Sequence, residues 1–376
     1  ITGVIIGPYG FGWVVTDEPV QIFALIGLSF LLYLAGLEVN LTQLRGPMAR
    51  VAALGFGVSC ALALLVGLAL GGLGLILRPL FIGIILVASS AGIILPAVKA
   101  SGYAKETFGQ LVIVSASLAE FGAIILMSVF FTNITPTSPQ RIVLLVMLAL
   151  LSVSVLALVL RAERSKRLTA LLLRLQDSTA QVRVRGVWVI LAAFVVLAVQ
   201  GFGIAAILGA FIAGVITRII DPDAETGHPQ LRLKLDAIGY GVFIPVFFIM
   251  TGLQFDVRAL FSEPRALTLV PVMLVALLLV RGTPALLYRH MIGGRKVVAA
   301  GFLQATTLTF VLAAQQIGLA LHVILPATSA ALVATALLSV LFFPLIALAL
   351  LSEAPSSVSM PTLRPQPSSA EPRPSE

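Results

Sequence analysis

Long apolar runs, separated by short charged or Gly/Pro-containing stretches, dominate the chain. A helix needs about 20 apolar residues to cross a hydrocarbon core, and most of the runs have that scale. They fall at roughly 1–8 (short), 21–37, 51–70, 79–98, 107–131, 142–160, 186–199, 202–219, 236–252, 266–288, 297–316 and 322–350. About twelve such segments predict an all-α polytopic membrane protein. Residues 161–185 read RAERSKRLTALLLRLQDSTAQVRVR, a basic amphipathic linker expected to lie along the inner membrane surface and to join two halves. Residues 354–376 are rich in Pro and Ser and predict a disordered tail. Ile1 reads as part of a helix tail, so a leading helix is expected, giving about thirteen passes in all.

Composition agrees. Of 376 residues 59% are hydrophobic and 11% charged, with a mean hydropathy of +1.09, whereas a soluble domain carries about 25% charge. The net charge is +8, and its distribution gives the topology. One set of alternate loops collects Arg45, Arg50, Lys99, Lys105, the basic linker, Arg289, Arg295 and Lys296; the opposite set holds only Arg78, Arg141, Arg258 and Arg265. The positive-inside rule puts the first set, with the tail, in the cytoplasm and the GPYGFG loop outside. The excess therefore points to a cell-membrane topology and not to a nucleic-acid partner. A single cysteine, Cys60, cannot make an internal disulfide, and three scattered histidines do not suggest a metal cluster. Gly71-Gly72-Leu73-Gly74 reads as a turn between membrane helices; neither an enzyme nor a bound cofactor is predicted.

One charge interrupts the pattern. Glu120 lies near the middle of Phe108–Phe131, a run with no other charged residue. A carboxylate at that depth is costly unless it meets water, a partner or an ion, which makes it a candidate functional group. Two other runs carry polar clusters at mid-membrane depth: ILVASSAGIILPAVKASG, with Ser89, Ser90 and Pro96, and GFLQATTLTFVLAAQQIG. They are linked by a weak internal repeat. Gly36-Leu37-Glu38-Val39-Asn40 matches Gly252-Leu253-Gln254-Phe255-Asp256 at an offset of 216, and Thr2–Ile6 echoes Gly209–Ile216. The same offset carries Ser89-Ser90 onto Ala305-Thr306. An odd number of segments separates the two copies, so they are inverted. Inverted repeats (about 1–131 and 202–350) with two broken helices at the midplane are a transporter pattern. Glu38 and Asp256 are expected at helix ends, as boundary or pathway-mouth residues.

Arg281 is the second charge within an apolar run. It is expected either to snorkel toward the inner surface or to pair with Glu120, directly or across a cavity. Burial and a neighbouring cation act oppositely on a carboxylate, so protons and cations can compete for Glu120. Ser89, Ser90, Ser115, Ser117, Gln304, Thr306 and Thr307 offer neutral oxygens, which hard monovalent cations prefer.

The stretches GVIIGPYGFG, LLYLAGLEVNLTQL, ASSAGIILPAVKASG, GQLVIVSASLAEFGAII, LGAFIAGVI and FIPVFFIMTGLQFDV, in that order, resemble the second branch of the monovalent cation:proton antiporter superfamily, the bacterial sodium/proton and potassium/proton exchangers. The resemblance runs from residue 1 to about 350. It implies thirteen helices, a core domain with two crossed discontinuous helices (79–98 and 297–316), a dimerisation domain, and elevator-like exchange in a homodimer. The family's acidic pair falls on Ala119-Glu120, its basic residue on Arg281, and its further buried acid near Thr306-Thr307. One carboxylate then suits electroneutral exchange of one proton for one Na⁺ or K⁺. The implied ion and proton ligands are Glu120, Arg281, Ser89, Ser90, Ser117, Gln304, Thr306 and Thr307. No nucleotide-binding domain is expected after residue 350. Two alternatives stay open: a proton-coupled carrier of another small solute, and a non-transporting subunit or sensor that keeps the fold.

Overall fold

A computed structural model of the chain describes residues 2–14, 17–38, 47–131, 210–211, 213–215, 218 and 237–352. The predicted linker 161–185, the segments at 142–160 and 186–199, most of 202–219, and the tail 354–376 lie outside the described residues. Among the described residues all regular structure is helical. In chain order the helices are α1 (Thr2–Ile6), α2 (Glu18–Glu38), α3 (Pro47–Gly72), α4 (Pro79–Val87), α5 (Ala91–Ala100) and α6 (Thr107–Phe130). After a π-helical turn at Gly239–Phe243 come α7 (Ile244–Leu253), α8 (Val257–Ser262) and α9 (Pro264–Leu277). A second π turn (Leu278–Gly282) and a 3₁₀ turn (Thr283–Tyr288) lead to α10 (Arg289–Ile292). α11 (Gly294–Ala305), α12 (Thr309–Ala320) and α13 (Pro326–Ser352) complete the set.

Six stretches among the described residues are long and apolar enough to cross a membrane: Pro47–Gly72, Pro79–Ala100, Thr107–Met127, Pro264–Ile292, Gly294–Leu319 and Pro326–Leu351. The chain is a multi-pass membrane protein. The run expected to end at 288 continues to Ile292, because the π and 3₁₀ turns carry the helical path past Arg281.

Small residues set the packing. α3 buries a narrow stripe of Ala52, Gly55, Ser59, Ala63, Gly67 and Leu70, while Leu54, Val58, Leu65 and Leu68 stay exposed on its other faces. The stripe lets α3 lie close against α4 and α6. α13 packs on α9, α11 and α12, and α7 packs on α1 and α2. Two seams bring backbone against backbone. A Cβ built on Gly252 would lie 3.0 Å from Gly3 Cα. A Cβ on Gly36 would lie 3.1 Å from Gly214 Cα, and one on Gly214 would run into the Tyr33 carbonyl oxygen. At the loop ends an ion pair joins Lys296 Nζ to Glu106 Oε2 at 2.9 Å, with the ammonium 4.6 Å from the centre of the Tyr103 ring. It fastens the starts of α11 and α6, both on the side assigned to the cytoplasm. Asp256 caps α8, accepting from Ala259 N at 2.8 Å.

Gly214→Val is expected to lower the unfolding temperature in detergent, at a cost of about 1–3 kcal/mol for overpacking. Gly57→Ala, where a Cβ meets nothing within 4 Å, is expected to leave it nearly unchanged. Equal effects of the two would refute the role of the backbone seam.

Candidate ion and proton site

Two helices are interrupted at depth. α4 and α5 are separated by Ala88-Ser89-Ser90, and α11 and α12 by Thr306-Thr307-Leu308. Small polar residues offer the backbone competing hydrogen bonds, which favours a break at these points. The repeat offset of 216 placed the second break at Ala305-Thr306; the structure places it at 306–308, so the breaks are related by 218 residues. Ala305 still closes the last turn of α11, and the chain leaves the helix at Thr306 (φ −71°, ψ 121°).

A break frees N–H and C=O groups, and hydrocarbon offers them no water. The breaks supply each other's partners. Ser90 N donates to Thr306 O at 3.0 Å. Leu308 N and Thr309 N both donate to Ser90 Oγ, at 2.8 and 3.2 Å. The Ser89 hydroxyl donates to Gln304 O. Ser339 on α13 serves the second break from behind: its hydroxyl lies 2.9 Å from Thr307 O and 3.3 Å from Thr307 N.

Glu120 sits where the breaks meet and is 3% exposed. Its Oε2 accepts from Ala91 N, the first residue of α5, at 3.0 Å. Its Oε1 accepts from the hydroxyl of Thr309, the first residue of α12, at 3.1 Å. The carboxylate thus stands at the N-terminal ends of two half-helices, where the backbone dipoles favour negative charge.

Arg281 is 1% exposed, so it does not snorkel. Nor do its hydrogen bonds run to Glu120. Nε donates to Ser89 Oγ at 3.0 Å, one terminal nitrogen to Ser59 Oγ at 3.0 Å, and the other to Ser115 O at 3.5 Å. The π turn, a common device at functional positions, carries Arg281 at the helix segment packed on α3 and α11. Through Ser89 the guanidinium bears on Gln304 O, a carbonyl in the last turn of α11, where a cation is favoured. Ser115 is held in turn by the Tyr288 hydroxyl at 2.9 Å.

The structure therefore gathers Glu120, Ser89, Ser90 and Arg281 into one network. Thr306 joins through its carbonyl, while its hydroxyl bonds back to Phe302 O. Ser117 is buried one turn before Glu120 and joins no hydrogen bond among the described residues. Both amide atoms of Gln304 and the hydroxyl of Thr307 are buried and have no hydrogen-bond partner among the described residues. Such groups are costly to leave unmet and suit a polar ligand or ion. Four participants are new relative to the sequence reading: Thr309, Ser59, Ser339 and Tyr288. Thr309 lies in the polar cluster already singled out; Ser59 and Ser339 are single serines in apolar runs and give no signal of their own.

A family model described as "Sodium/hydrogen exchanger, transmembrane" matches residues 1–352. The chain is 29% identical over 360 residues to the Putative Na(+)/H(+) antiporter YjbQ of Bacillus subtilis, covering 92% of this chain and 57% of that protein. It thus spans little more than half of YjbQ. It is 28% identical to the Probable Na(+)/H(+) antiporter 3 of Methanocaldococcus jannaschii, over 76% of this chain and 72% of that one. It is also 28% identical to the Glutathione-regulated potassium-efflux system protein KefC of Klebsiella pneumoniae, over 74% of this chain and 44% of KefC.

Ser90→Ala removes the acceptor of two backbone N–H groups and is expected to cost about 1–3 kcal/mol or more, read as a lower unfolding temperature in detergent. Ser117→Ala is expected to change it little. Equal stability of the two variants would contradict the capping role of Ser90.

Proposed function

Because the chain belongs to the sodium/hydrogen exchanger family, we propose that it is a secondary antiporter exchanging protons for a monovalent cation, Na⁺ or K⁺, at Glu120. The observation that carries this reading is one carboxylate, the only buried one among the described residues, held between the N-terminal ends of two interrupted helices. A proton and a cation are alternative ways to neutralise it there. Ser89, Ser90, Ser117, Gln304, Thr306 and Thr307 supply neutral oxygens, and the unmet polar atoms of Gln304 and Thr307 support their place in the ligand set. Arg281 is the fixed counter-charge that balances the carbonyl ends. One buried carboxylate among the described residues supports electroneutral exchange of one proton for one cation. The relatives' names divide between sodium and potassium, and the proposed cation is either of the two.

The transporting unit in this reading is residues 1–350, built from inverted repeats at about 1–131 and 202–350 that work as a homodimer. Several observations support the repeats. The matched glycines Gly36 and Gly252 each close on a glycine of the other half, Gly214 and Gly3 respectively. The two breaks likewise bind across the halves.

In sealed proteoliposomes with an internal pH dye, addition of Na⁺ or K⁺, but not choline, is expected to drive proton flux. Glu120→Gln is expected to abolish that flux while the protein stays folded. Undiminished flux in the variant would overturn the assignment of Glu120.

A further inference from the structure

The hydrogens at the crossing can be counted, and their count assigns a role to Thr309. Ser90 Oγ accepts from Leu308 N and Thr309 N, which fills both of its lone pairs. Thr309 has one hydroxyl hydrogen, given to Glu120 Oε1. The hydrogen in the 3.1 Å contact between Ser90 Oγ and Thr309 Oγ1 is therefore that of Ser90. The chain runs in one direction, from Ser90 to Thr309 to the Glu120 carboxylate. In that state Thr309 Oγ1 accepts once and keeps one lone pair open, beside a carboxylate.

Adding a proton changes this. Oε2 faces the Ala91 N–H, which cannot accept. A proton on Oε1 faces an oxygen that can. Glu120 then donates to Thr309 Oγ1, the Thr309 hydrogen turns away, and the open lone pair is filled. One proton is gained from solution and no covalent bond other than the new O–H is made.

We propose that Thr309 Oγ1 is a ligand of the transported monovalent cation, available while Glu120 is ionised and withdrawn when Glu120 is protonated. Protons and cations then exclude one another at two oxygens and not only by charge. The inference builds on Glu120 as the exchange site and goes beyond it: the competition has a second, neutral member, which the sequence reading did not name as a ligand. Among the described residues, the elements packed on α6 also carry Arg50 and Cys60 (α3), Lys99 (α5), Tyr103 and Lys105 in the turn before α6, Arg289 and His290 (α10), and Arg295 and Lys296 (α11), while Arg281 and Tyr288 reach α6 through Ser115. None of them hydrogen-bonds to Thr309 or Ser90.

The test is proton release from the purified full chain in lightly buffered detergent solution, titrated with NaCl or KCl against choline chloride. The wild type is expected to release protons as Na⁺ or K⁺ binds, and Glu120→Gln to release none. Thr309→Val keeps the shape and removes the oxygen; it is expected to need about tenfold more cation for half-maximal release, the effect of one lost polar ligand. Thr309→Ser restores the oxygen and is expected to titrate close to wild type, which separates ligation from packing. If Thr309→Val titrates like the wild type while Glu120→Gln is silent, Thr309 is no ligand and the exchange site stands. If Thr309→Ser is as weak as Thr309→Val, the methyl and not the hydroxyl matters, and the inference fails. Absence of cation-driven release from the wild type overturns both.

Discussion

Everything at the centre of this protein follows from the cost of a bare peptide group in hydrocarbon. Two helices stop and restart inside the membrane, and each interruption strands donors and acceptors that would cost about 1–3 kcal/mol apiece if unmet. The solution is reciprocal: Ser90 serves the second break through both its backbone and its hydroxyl, and Ser89 serves the end of α11. Ser339 supplies what the first break cannot reach. The site chemistry is a by-product of this satisfaction, because the groups that cap the breaks also surround Glu120.

The two charges answer the two kinds of helix end. Glu120 meets the amide ends of α5 and α12. Arg281, through Ser89, meets the carbonyl end of α11. They are linked by serine and threonine hydroxyls, not by a direct bond between carboxylate and guanidinium. A carboxylate locked into a bidentate arginine pair would have little reason to exchange partners. Holding the guanidinium one hydroxyl layer away keeps the charge balanced and leaves the carboxylate oxygens bonded to Ala91 N and the Thr309 hydroxyl.

Much of this was legible in the sequence. Glu120 announced itself as the lone charge in its run, and the Ser-Ser and Gln-Ala-Thr-Thr clusters marked the breaks. The repeat related them, but with a two-residue error, because matched glycines fix the packing of outer helices and not the point at which an inner helix unwinds. Arg281 was visible as a buried charge; its partners were not, since Ser59 and Ser115 lie far from it in sequence and one serine in an apolar run looks like any other. Thr309 was passed over for a geometric reason. The repeat offset set the expected break at Ala305-Thr306 and so favoured Thr306 and Thr307, whereas the break at 306–308 makes Thr309 the first residue of a new helix, beside the acid.

The mutual capping also bears on how the molecule is assembled. The partners for Ser89 and Ser90 lie more than 210 residues further along the chain. As the polypeptide is made, the first interrupted helix enters the bilayer before its complement exists. Until the later helices arrive, its freed groups depend on borrowed partners: stray water, lipid headgroups or bonds within their own turn. The early half of the bundle is thus provisional, and the structure closes only when the late half docks. Long-range pairing of this kind slows folding and gives quality control a long interval in which to recognise an unfinished chain.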